Sequence, residues 1–140
     1  MAKRQIKLSA LAQLFADNLN AHAKNNGYEL DYTTAGQMGT DYDEIQIYNK
    51  DVLVRVSVGL GHMDFGDGTT YPSNNKGKIG VYPSFRHAPG GCYSTVQLKG
   101  NVELDYSDLR PVDVAPILKM WKAVGERFAA VKALIEEPIC

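Results

Sequence analysis

Val52 to Leu60 reads VLVRVSVGL and alternates strictly. Val52, Val54, Val56, Val58 and Leu60 fall on one side, and Leu53, Arg55, Ser57 and Gly59 on the other. Successive side chains of a strand point to opposite faces, so such a run is a half-buried β-strand. Ile45 and Ile47 alternate in the same way upstream, and Asn49-Lys50-Asp51 between the runs is turn chemistry. Residues 44–60 therefore read as a β-hairpin.

The stretch before the hairpin supplies a helix and a strand. Ser9 is placed to cap a helix whose apolar stripe is Leu11, Phe15 and Leu19, flanked by Ala12 and Ala23. Asn25-Asn26-Gly27 ends it, with glycine free to adopt the left-handed conformation. Tyr28, Leu30 and Tyr32 then alternate as a strand, and residues 33–42 read as a loop. Asp41, Asp43 and Glu44 read as a solvated strand entry.

After the hairpin, residues 61–78 hold four glycines and one proline among polar residues. A connection of this length is usually functional or disordered. Met63, Phe65 and Tyr71 are the groups expected to anchor it. Lys78 to Phe85 resumes a strand with Ile79 and Val81 inward, and Pro83 calls for an edge or a bulge. Residues 86–91 form a second loop. Val96 and Leu98 belong to the next strand, and Val102, Leu104 and Tyr106 to the last. Gly100-Asn101 between them is a two-residue hairpin signal.

The final element is a helix. Val114, Ile117, Trp121, Val124, Phe128, Val131 and Ile135 recur at three- and four-residue steps. Asp113 is placed to cap it, and Pro116 is tolerated in its first turn. Short turns between strands imply antiparallel pairing. The expectation is a single α+β domain over residues 1–140. Its largely antiparallel sheet of about six strands carries an N-terminal and a long C-terminal helix on one face. The other face is left for water, a ligand or another copy of the chain.

Composition narrows the function classes. With a net charge of -1, the chain has neither the basic surplus of a general nucleic-acid binder nor the acidic surplus of a DNA mimic. No apolar run is long enough to span a membrane. The N-terminal residues are broken by Ser9 and Gln13 and do not read as a signal peptide. Cys92 and Cys140 read as free thiols, which places the chain in the cytoplasm.

Three features could carry chemistry. The polar and aromatic residues Tyr71, Ser73, Asn74, Lys76, Tyr82, Arg86 and His87 supply donors for phosphate or carboxylate and faces for stacking. They are the expected contacts to an anionic small ligand or a partner protein. His62, Asp64 and His87 could hold a metal if their loops meet, with Asp67 nearby, but their spacing matches no metal motif. Cys92 lies close in sequence to His87, and reads as a packing residue rather than a nucleophile.

No motif implies a cofactor, and no set joins a nucleophile, a base and an orienting group. The first expectation is therefore a non-enzymatic binding protein. An accessory factor of bacteriophage type, which inhibits a host defence protein or sequesters a signal nucleotide, fits such a chain. The alternatives are a small metal-dependent hydrolase or nuclease and a self-assembling structural subunit.

Overall fold

The structure is a computed structural model that describes residues 8–64, 69–86, 96–98, 100, 102–105 and 112–135. Phe65, Asp67, His87, Gly90, Gly91, Cys92, Tyr93, Tyr106 and Cys140 lie outside the described residues.

The elements are α1 (Ala10–Ala21), α2 (Ala23–Asn26), β1 (Glu29–Thr33), α3 (Ala35–Met38), β2 (Tyr42–Tyr48) and β3 (Val52–Gly59). They continue with β4 (His62–Asp64), β5 (Thr70–Pro72), β6 (Lys78–Phe85), β7 (Val96–Gln97), β8 (Val102–Asp105) and α4 (Ala115–Ile135). The chain is an α+β protein. Its main sheet is antiparallel in the order β1-β2-β3-β6, and β7 and β8 both pair with the outer side of β6.

The alternating runs fall as their pattern requires. Ile45, Ile47, Val52, Val54, Val56, Val58, Ile79 and Val81 are each at most 1% exposed. On that face lie Phe15 and Leu19 of α1 and Ile117, Trp121, Val124 and Phe128 of α4, all in the same core. Each such buried side chain contributes about 1.5–3 kcal/mol. Two T-shaped aromatic contacts fix α4, Tyr28 with Trp121 at 5.3 Å and Phe85 with Phe128 at 5.5 Å. The Ser9 hydroxyl accepts from the Ala12 N–H, and Gly27 closes α2 at φ 68°. Asp113 Oδ1 accepts from the Ala115 N–H at the start of α4.

Four features depart from the sequence expectation. Asp43 is buried at 2% exposure rather than solvated. Its carboxylate accepts the Ser9 and Ala35 N–H groups, both at 2.8 Å, and so joins β2 to the starts of α1 and α3. The expected loop over 33–42 contains α3, whose Thr34 and Gln37 form a capping box.

The long connection between β3 and β6 contains a small hairpin, in which His62 pairs Pro72 and Met63 pairs Tyr71. Tyr71 is 57% exposed and does not bury as an anchor.

Gly100 does not turn the chain back. Phe85 and Ser84 pair with Val96 and Gln97, while Val81 to Lys78 pair with Val102 to Asp105. Both segments run the same way along β6, so the chain does not reverse between them; four residues, 98–101, span the two β6 positions 82 and 83, and Gly100 among them takes φ 106°. Pro83 stands in this interval of β6, and its carbonyl accepts from Leu98 N–H at 2.9 Å. A strand residue's N and O point to the same neighbour, so the donor that proline lacks would have faced the broken ladder.

Candidate functional site

The face of the sheet opposite the helices carries the polar half of each alternation. Register places Glu44, Ser57, Gly80 and Glu103 in one row across β2, β3, β6 and β8. Gln46, Arg55 and Tyr82 form the next row. A concave site of about 700 Å³ opens here, walled by Tyr42, Glu44, Arg55, Lys78, Tyr82 and Glu103. That volume lies within the roughly 300–1,000 Å³ typical of small-molecule sites.

Two glycines shape it. A Cβ on Gly80 would lie 2.6 Å from Tyr82 Cε2 and 2.7 Å from Ser57 Oγ. The absent side chain lets the phenol of Tyr82 lie back along its own strand over Gly80. A Cβ on Gly59 would meet the backbone of Asn75, its carbonyl carbon at 2.8 Å. The segment holding Asn75 therefore lies directly on β3 and closes one end of the groove.

That end wall is held by polar contacts. Asn75 Nδ2 donates to the Asp41 carbonyl and its Oδ1 accepts the Gly61 N–H, both at 3.0 Å. The Ser73 hydroxyl donates to Asp41 Oδ2 at 2.6 Å. These contacts tie the base of the β4–β5 arm to the start of β2.

Among the described side chains of the groove wall the charges balance. Arg55 Nη1 lies 4.0 Å from Glu44 Oε1, and Gln46 donates to Glu44 Oε2 at 3.0 Å. Lys78 and Glu103 are exposed and have no ion-pair partner among the described residues. The described side chains of the site thus offer a pre-formed ion pair, one uncommitted cation, one uncommitted anion and two phenols.

The residues singled out from sequence are dispersed. Of those described, Tyr82 lines the groove. Tyr71 is on β5, and Asn74 is exposed just before the Asn75 wall. The Cβ of Lys76 lies 2.7 Å from where a Gly61 Cβ would stand. Arg86 lies past the far end of β6, where its Nη1 donates to the Asn49 carbonyl at 2.8 Å and its guanidinium sits 5.2 Å from the Tyr48 ring centroid. At a strand rise of about 3.3 Å per residue, the two ends of β6 are roughly 23 Å apart. Arg86 and Lys76 are therefore not brought together.

His62 and Asp64 share β4, and His87 lies outside the described residues. Among the described residues no three His, Cys, Asp or Glu side chains gather as a metal site, and no helix is long and apolar enough to cross a membrane. Arg55 and Ser57 were visible as the polar side of β3. Their partners Gly80 and Glu103 were not, because the pairing of β6 with β3 and β8 is a matter of strand order.

No family model matches the chain, no curated protein is significantly similar to it, and no solved structure matches it.

Proposed function

We propose that the chain is a non-enzymatic binding protein whose site is the groove on the helix-free face of the sheet. The observation that carries this reading is the Gly80–Tyr82 arrangement. A glycine inside a strand weakens it, yet Gly80 interrupts the apolar pair Ile79 and Val81 and leaves room that Tyr82 partly fills. The groove is concave, mixes donors with acceptors, and is built on rigid strands. These are the attributes of a site for a small polar molecule rather than of a flat protein-docking face. A sequestered signal nucleotide of the kind expected from the sequence is one ligand of this description.

Thermal melting with a panel of small polar metabolites tests the reading. A ligand that binds the folded state alone raises Tm. At least one compound is expected to raise the Tm of the wild type and to lose that effect in Gly80→Val, whose new side chain displaces the Tyr82 ring. An equal rise in wild type and Gly80→Val would place the site elsewhere.

A further inference from the structure

We infer that the groove takes a planar, nitrogen-rich ring bearing a single anionic group, the chemistry of a nucleoside monophosphate. This inference rests on the binding reading above and names its ligand class. Three features converge on it.

The Tyr82 phenol, lying over the buried backbone of Gly80, is the floor, and its face accepts a flat ring at stacking distance. Above this floor, Glu103 is the uncommitted acceptor. It stands in the same row as Gly80, where an exocyclic N–H of a ring over the floor can donate to it. The uncommitted cation is Lys78, paired in register with Asp105 and two residues before Gly80. Lys78 and Glu103 are diagonal neighbours across the strand pair, about 7–8 Å apart, and no ion pair joins them, so one ligand can lie between the two.

Charge balance sets the upper limit on the anion. Among the described side chains of the wall, Arg55 and Lys78 face Glu44 and Glu103, and Arg55 is already matched by Glu44. One phosphate finds Lys78. Past Lys78 the groove is closed by the Asn75 segment, and the described wall offers no second free cation there, so extra phosphates add no affinity.

Calorimetric titration with the four common nucleoside monophosphates, the matching triphosphates and inorganic phosphate tests this. At least one monophosphate should bind, no less tightly than its triphosphate and more tightly than inorganic phosphate. Tyr82→Ala and Lys78→Met should each weaken it roughly tenfold, as expected for loss of one stacking face or one charge-assisted contact. Circular dichroism should confirm that both variants fold. A triphosphate that binds more tightly, inorganic phosphate that binds as well as the nucleotide, or affinity unchanged in folded Tyr82→Ala would overturn the inference. If no monophosphate binds while another small molecule stabilises the wild type and not Gly80→Val, the ligand class is wrong and the groove remains the site. If nothing binds in either experiment, both readings fall.

Discussion

The phenol of Tyr82 occupies the space over Gly80 that a side chain there would fill. The atoms in the way are the ends of side chains, Tyr82 and Ser57, so a new Cβ displaces them without moving the sheet. Gly80→Ala should therefore change stability by no more than about 1 kcal/mol, since the entropy gained on replacing glycine offsets part of the crowding. Its effect should appear in ligand binding. Chemical denaturation beside a binding assay separates the two.

Gly59 has the opposite character. Its missing Cβ is replaced by the backbone of Asn75, which is pinned through Asp41 and Gly61 and cannot swing aside. Gly59→Ala should cost about 1–3 kcal/mol, the range for overpacking a fitted site. Urea midpoints should fall for Gly59→Ala well below those for Gly80→Ala.

Asp43 holds two backbone donors at the starts of two helices while almost fully buried. Asp43→Ala leaves the Ser9 and Ala35 N–H groups without that acceptor and should cost about 2–4 kcal/mol. Asp31→Ala on the exposed edge strand should stay within about 0.5 kcal/mol. Denaturant unfolding of the two variants measures the contrast.

Tyr28 predicts an alkaline transition. Burial pushes its phenol up to about 12 from the ordinary 10.0, and its hydroxyl donates to the Leu19 carbonyl. Between these two values the folded chain keeps a proton that the unfolded chain has lost. Stability is thus fully present below pH 10 and falls as pH rises toward 12. Urea midpoints measured across that window should decline, and Tyr28→Phe should start lower but decline less.

Arg86 supports the β2–β3 turn through Asn49 and Tyr48. Arg86→Ala should cost about 0.5–1.5 kcal/mol and leave ligand binding in the groove unchanged. Arg55→Ala should do the reverse, and paired melting and binding curves read both effects.

Much of this fold was legible where a period was strong. The alternation of Val52 to Val58 and the helical stripe from Val114 to Phe128 both land in the core. The burial of Asp43 was also present in the pattern, because it shares a face with Ile45 and Ile47. Treating it by residue type rather than by position concealed that. Thr34 and Gln37 carry the spacing of a capping box, a signal for α3 that was equally readable. Gly100 misled because a glycine with positive φ suits a two-residue turn and an interruption in an edge strand alike. The groove itself was not legible. It is made by register between β3, β6 and β8, and long connections give no local signal of which strands become neighbours.

Native mass spectrometry of protein purified gently from cells, in parallel with Gly80→Val, tests the binding groove most directly. The account predicts that the 15.4 kDa chain carries an extra mass of a few hundred daltons that Gly80→Val does not retain. A bare chain in both samples, or a bound mass retained equally by Gly80→Val, would contradict it.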